Sequence, residues 1–233
     1  EYAWVFDNPS DSIVSRLAGH TTIGFDVTDF LGNDVVRSPI ALYLFHCVRT
    51  LLDGRQFVCW ADEFSRLLDD AAFERFAKDG LKVWRKMNGV FCCATQSPSD
   101  ALQSSISRTI IEQTATKIFF PNPDADASEY MNGFGLSERE FSLIKEQLEP
   151  GARTFLIKQG HCSVVCELNL RGFDRELAVI SGRAQTVERM RQIMSELGAE
   201  PMRWLPTFQA GVVSATSTVG SGTSGTNRWE ATA

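Results

Sequence analysis

Asp62 and Glu63 stand side by side at the end of the apolar run Phe57 to Ala61, within the stretch Gln-Phe-Val-Cys-Trp-Ala-Asp-Glu that begins at Gln56. A short continuous apolar run reads as a strand buried on both faces, as in a parallel sheet. Two acids at the end of such a strand are costly to desolvate without a cationic partner. In a nucleotide-binding α/β sheet that partner is at hand, because ligands sit outside the carboxyl ends of the strands. An Asp there can hold Mg²⁺ directly or through water, and the adjacent Glu can polarise a water that attacks a γ-phosphate. This is the Walker B pattern. The same residues also suit a helix that opens with acids, which favour a helix N-terminus.

A second strand signal follows. Gly89 to Thr95 is another short apolar run, and it ends in Thr95 and Gln96. A polar amide at a strand end can contact a γ-phosphate or the attacking water, and phosphoryl transfer asks a protein mainly for positioning and charge stabilisation. The competing reading is a capping turn, since Ser97-Pro98-Ser99-Asp100 offers a cap and a first-turn proline to the next helix. The two strand-end signals together favour nucleotide hydrolysis. No Gly-x-x-x-x-Gly-Lys-Ser/Thr occurs in the chain, although that loop cradles phosphates with backbone N–H groups and supplies a Lys. Either the loop lies upstream, which the start at Glu1 without Met favours, or the domain does not hydrolyse.

The elements that must position these residues read as alternating strands and helices, so an α/β fold with a mostly parallel sheet is expected. Strands are predicted at 1–6, 20–26, 57–61, 89–95 and 117–120. Helices are predicted at 9–17, from a Ser38 cap with Pro39 in the first turn to about Leu52, over 64–88 in two pieces, and from Ser97 onward. Further helices are expected at 126–131 and 137–147, where Ser137-Glu138-Arg139-Glu140 forms a capping box. Strands 154–158 and 163–168 join at Gly160 as a hairpin. An amphipathic helix over 186–197 ends at Gly198. From Gly211 the composition turns to Gly, Ser, Thr and Ala, which reads as a flexible tail over 211–233 after a domain over 1–210.

Composition bounds the rest. The chain has 233 residues, 43% hydrophobic and 22% charged, enough for a sizeable core. A net charge of −6 does not advertise nucleic-acid binding. No apolar run approaches the length of a membrane span. The 6 Cys do not form a disulfide framework. His161, Cys162 and Cys166 lack the second pair that a zinc site needs, with Cys162 and Cys166 on one strand face. Reduced, cytoplasmic thiols are expected.

The block of motifs in order has a family look. Phe-Val-Cys-Trp-Ala-Asp-Glu-Phe, Gly80 to Gly89, Ala94 to Asp100, Phe-Pro-Asn-Pro at 120–123 and Phe155 to Gly160 resemble the C-terminal ATPase domain of the CagE/TrbE/VirB family, the largest ATPases of type IV secretion and conjugation machines. The resemblance runs from about Trp4 to Gly182. It implies a RecA-like P-loop NTPase domain with helices on both sheet faces, here lacking the Walker A strand-loop-helix, and with ATP and Mg²⁺ as ligands. It implies Asp62 as the Walker B aspartate that binds Mg²⁺, Glu63 as the catalytic glutamate, and Gln96, beside Thr95, as the glutamine of the following motif. Arg85 and Lys86 match the family's basic pair, and Arg85 is a candidate finger reaching the γ-phosphate of a neighbouring subunit. Taken alone, Lys82, Arg85 and Lys86 also read as a solvated basic helix end. The implied setting is a ring oligomer on the cytoplasmic side of a bacterial inner membrane, alongside other secretion subunits, inner-membrane components and the coupling ATPase. Two further readings stay open: a nonhydrolytic docking module of the same machine, and a related DNA-translocating ATPase.

Overall fold

In a computed structural model the chain divides into two compact units, Glu1–Glu167 and Leu168–Ala233. The structure describes residues 7, 9–10, 13–17, 19–64, 83–104 and 107–216. The strand expected at 1–6, residues 65–82 of the helical pieces expected over 64–88, and residues 217–233 of the expected tail lie outside the described residues.

The first unit opens with helices α1 (Ile13–Leu17), α2 (Thr28–Leu31) and α3 (Asp34–Thr50). Residues 20–26 form no strand, contrary to expectation. Asp26 instead accepts bonds from the Thr28 N–H and hydroxyl, which turns the chain into α2. Helix α3 starts earlier than expected, at Asp34, because the Asn33 side chain accepts a bond from the Val35 N–H at 3.0 Å. Asn is among the strongest N-caps, and Pro39 consequently lies inside the helix.

Strands β1 (Phe57–Ala61) and β2 (Gly89–Cys93) pair in parallel, from Phe57 opposite Gly89 to Ala61 opposite Cys93. Their inner face packs on α3. Val48, Leu52 and Trp84 form a buried cluster with Phe57, Cys59, Met87 and Phe91 against it. Phe91 is the hub, with its ring centroid 5.4 Å from both Phe64 and Trp84 and 6.3 Å from Phe45. Gly89 fits here because a Cβ would sit 3.2 Å from both a Leu52 methyl and the Trp84 carbonyl. The outer face is exposed: Val58, Val90 and Trp60, the last 76% accessible, point away from the cluster. The continuous apolar runs predicted burial on both faces; among the described residues one face is covered. Burial also pushes the thiols up, Cys59 to about 11 with the neighbouring Cys92 adding to the effect, so these cysteines stay protonated.

Beyond α4 (Pro98–Gln103) and α5 (Ser107–Gln113) runs β3 (Thr116–Phe119). It was expected to extend the parallel sheet. It pairs instead antiparallel with β4 (Thr154–Gln159), which pairs antiparallel with β5 (Cys162–Glu167) in a separate three-stranded sheet. The described strands are therefore two parallel and three antiparallel, a mixed α/β arrangement. The predicted hairpin is present, turning at Gly160 with φ +59°. Between β3 and β4 the two expected helices form with π-helical turns at Ser128–Gly133 and Leu143–Gln147, the second continuing α6 (Glu138–Ser142). Their apolar sides bury Tyr130, Leu136, Ile144 and Leu156 in one cluster.

The capping box at Ser137 is formed on both sides. Its Glu140 is buried and carries more than the cap: the Lys158 ammonium donates to both carboxylate oxygens at 2.8 Å. Burial alone raises the Glu140 pKa, but the bonds from Lys158, Ser137 and Ser163 outweigh it and bring the carboxyl down to about 2.

The second unit is helical: α7 (Asp174–Ile180), α8 (Ala184–Leu197) and α9 (Pro201–Thr216). Gly198 ends α8 as expected. Regular structure continues past Gly211, where a tail was expected to begin. The Arg189 guanidinium lies over the Phe208 ring, bonds the Phe208 carbonyl and presses on Gly211 where a Cβ would stand. Glycine at 211 thus leaves room for that guanidinium between α8 and α9, where a larger residue would push the flexible arginine aside.

Two stability predictions follow from these cores. Phe91→Ala removes the hub of three ring contacts and is expected to cost about 3–5 kcal/mol, whereas Val90→Ala on the exposed face should cost about 0.5 kcal/mol or less; urea unfolding compares them, and equal losses would contradict this core. A carboxyl whose folded pKa lies below its unfolded value of 4.5 stabilises the fold above that value and loses the contribution as pH falls toward 2. Stability of the parent should therefore drop by at most about 3 kcal/mol across that window. In Glu140→Gln that part of the pH dependence should vanish, as measured by urea midpoints between pH 6 and pH 2.

Candidate active site

The site lies where β1 and β2 end together. Because the strands are parallel and in register, with Ala61 opposite Cys93, the residues that follow each strand emerge at the same edge. Backbone bonds extend the pairing past the strands, from Ala94 N–H to the Ala61 carbonyl and from Phe64 N–H to the Ala94 carbonyl, both 3.0 Å. Phe64, 3% exposed, turns inward onto Phe91.

That inward turn leaves two residues to reverse the chain. Asp62 and Glu63 form the turn, and Glu63 takes φ +49°, a left-handed conformation uncommon for a residue with a Cβ. The Glu63 N–H is held by the Asp62 carboxylate at 3.0 Å. The Asp62 side chain is exposed, and Glu63 is half-buried. From the neighbouring strand end, the Gln96 amide donates to a Glu63 carboxylate oxygen at 3.4 Å. Three of the residues singled out in the sequence, Asp62, Glu63 and Gln96, are thus gathered in one place.

Thr95 and Arg85 stand differently. The Thr95 hydroxyl is engaged in a local turn, donating to the Ser97 carbonyl at 3.0 Å and accepting from the Ser97 N–H. Ser97, expected to cap the next helix, has the extended backbone of an N-cap, but its hydroxyl meets that of Ser99 rather than a backbone N–H. Arg85 lies exposed on the helical turn that precedes β2. It is at the amino end of a strand about 13 Å long by its rise per residue, and Gln96 lies beyond the carboxyl end. Within one chain the fold does not bring Arg85 to Glu63.

The arrangement offers hard oxygen donors, an exposed Asp62 carboxylate beside Glu63, and the amide of Gln96. Oxygen-rich sets with carboxylates suit Mg²⁺, and one amide poised on a carboxylate can orient a water. Among the described residues no group of three or more His, Cys, Asp or Glu side chains gathers as a metal cage. Mg²⁺ commonly binds through one or two carboxylates plus phosphate oxygens, so the donor set fits a metal that arrives with a nucleotide. No helix among the described residues is long and apolar enough to cross a membrane.

No family model matches the chain. Among curated proteins it is 50% identical over 208 residues to the type IV secretion system protein virB4 of Bartonella henselae, covering 89% of this chain and 26% of that protein. It is 45% identical over 206 residues to virB4 of Brucella abortus, covering 88% of this chain and 24% of the relative. The type IV secretion system protein PtlC of Bordetella pertussis is 40% identical over 206 residues, covering 88% of this chain and 25% of the relative. Among solved structures, VirB4 of Thermoanaerobacter pseudethanolicus matches with a TM-score of 0.53 at 20% identity, over 64% of this chain and 42% of that one. The chain spans about a quarter of the length of the curated relatives it matches. With identities of 40–50% over nearly nine-tenths of its residues, this chain belongs to the VirB4 family of type IV secretion proteins.

Proposed function

We propose that the chain is the C-terminal part of a RecA-like P-loop ATPase domain that powers type IV secretion, working as a ring oligomer at the cytoplasmic face of a bacterial inner membrane. The single observation that carries the enzymatic reading is the meeting of Gln96 with Glu63 beside an exposed Asp62, at the adjoining carboxyl ends of two parallel strands. Ligands in open α/β sheets bind at such strand ends. The names of the relatives support the secretion setting, and with it contacts to other secretion subunits, among them inner-membrane components and the coupling ATPase.

In this reading ATP is the substrate and Asp62 holds Mg²⁺, directly or through water. The metal would supply charge neutralisation on the phosphates. Glu63 orients the attacking water and takes its proton, and the Gln96 amide fixes the direction of the Glu63 carboxylate. The left-handed turn at Glu63 keeps that carboxylate at the strand edge, because Phe64 anchors the chain immediately after it. A phosphate-cradling loop, which this sequence does not contain, would come from a further part of the full protein. The exposed outer face of β1–β2, with Val58, Trp60 and Val90, supports that view, since an apolar sheet face needs a covering layer. Arg85, at the far end of β2, is assigned to a neighbouring subunit's nucleotide, where a planar guanidinium meets phosphate oxygens in two places.

The 233-residue chain alone should release no phosphate from ATP beyond a Glu63→Gln control. In a full-length protein that carries the phosphate loop, Glu63→Gln should retain nucleotide binding and lose turnover by about 10²-fold or more; near-normal turnover would move the base elsewhere. Arg85 is tested by mixing full-length Arg85→Ala with Glu63→Gln, each expected to be inactive, under conditions of subunit exchange. Activity should return in mixed rings, where an intact Glu63 site receives Arg85 from its neighbour. Full activity of Arg85→Ala alone, or verified mixed rings that stay inactive, would remove Arg85 from this role.

A further inference from the structure

Ala94 faces one residue too many where β1 ends. In a regular parallel ladder a residue donates its N–H to one partner carbonyl and accepts, at its own carbonyl, from the N–H two positions further along. The Ala94 N–H donates to the Ala61 carbonyl at 3.0 Å, so a regular ladder would bring the Glu63 N–H to the Ala94 carbonyl. The Phe64 N–H arrives there instead, also at 3.0 Å. Asp62 and Glu63 therefore both stand opposite Ala94, and the pairing contains a bulge of one extra residue.

The extra residue changes which side chains face the core. Phe57, Cys59 and Ala61 share the inner face of β1. Strict alternation would put Glu63 on that face as well and send Phe64 to the outer one. With the bulge, Phe64 is the inner residue, packed on Phe91, and Glu63 stands in the turn within reach of Gln96. A bulge displaces an N–H from the ladder, and here it is that of Glu63. The Asp62 carboxylate takes it, with Oδ1 accepting at 3.0 Å. Asp62 itself is exposed, and its other oxygen accepts no bond among the described residues.

We propose, on the ATPase reading of this site, that Asp62 is a positioning residue for Glu63 as well as an oxygen donor toward the metal. One carboxylate oxygen closes the bulge, and the other is left to face Mg²⁺ or its water. Without that closure the peptide between Asp62 and Glu63 is free to rotate, and the Glu63 carboxylate leaves Gln96. A bond from an N–H to an ionised carboxylate is stronger than one between neutral groups. Aspartate therefore holds the bulge most firmly, asparagine holds it through its amide oxygen, and alanine does not hold it. Metal binding divides the three differently, because asparagine and alanine both lack the charge that attracts Mg²⁺. The two roles of Asp62 are thus separable by substitution.

The test compares the whole chain, isotopically labelled and free of nucleotide and metal, as parent, Asp62→Asn and Asp62→Ala by NMR. The Gln96 side-chain amide resonances should stay near their parent positions in Asp62→Asn. In Asp62→Ala they should move toward their positions in a Glu63→Ala reference. Exchange of the Glu63 amide proton, corrected for the neighbouring side chain, should be about tenfold or more faster in Asp62→Ala than in the parent, with Asp62→Asn between the two. Parent-like Gln96 and Glu63 signals in Asp62→Ala, or an Asp62→Asn chain that behaves as Asp62→Ala, would overturn the positioning role. These signals are read without ATP, so they hold or fail separately from the turnover of full-length Glu63→Gln, which tests the ATPase reading itself.

Discussion

The inward turn of Phe64 onto Phe91 constrains everything at the strand ends. A buried aromatic pair is worth more than its area alone when the rings meet edge to face, and this one sits 5.4 Å apart within a cluster that includes Trp84 and Phe45. With Phe64 committed to the core and Ala61 committed to the ladder, only Asp62 and Glu63 remain to reverse the chain. The left-handed backbone at Glu63 is the consequence. Its cost is borne by the aromatic burial on either side, and its effect is to hold two carboxylates at the edge where a ligand of a parallel sheet binds.

The three-stranded sheet depends on a different interaction. Glu140 is first a capping residue, closing the Ser137 turn, and then the partner of Lys158 on β4. One carboxylate thus ties a helix start to a strand across the sheet. A buried ion pair is weak evidence for net stability, because desolvation offsets the attraction. It is strong evidence for register, since a one-residue slip of β4 would turn Lys158 to the opposite face.

Both sheets leave apolar rows open to solvent. On the first, Val58, Trp60 and Val90 share the outer face; on the second, Ile118, Phe120 and Val164 do. The chain spans about a quarter of the length of the relatives it matches, and these faces are open among its described residues.

Much of this was legible in the sequence because it is local. Phe57 to Ala61 and Gly89 to Cys93 are apolar enough to be strands wherever they stand, the Ser137 box and Gly198 end are matters of a few neighbouring atoms, and Gly160 marks its own hairpin. The gathering of Asp62, Glu63 and Gln96 was also foreseeable, since successive apolar runs separated by a long connection are expected to run parallel and finish at one edge. Other features depended on contacts no local pattern encodes. Pro39 and Ser38 make a good helix start, but Asn33 makes a better cap one turn earlier. Gly211 looks like the first residue of a linker until Arg189 from another helix is seen lying across it. The direction of β3 was set by its long-range pairing with β4, and the exposure of one sheet face by which layers pack against it. The sequence by itself determined which short segments are strands, where the turns fall and which polar residues end the strands, because propensity and capping act over a few residues. Only the tertiary structure decided the sheet partners, the left-handed turn at Glu63 and the Glu140–Lys158 tie, because each is settled by burial and by atoms far away in the chain.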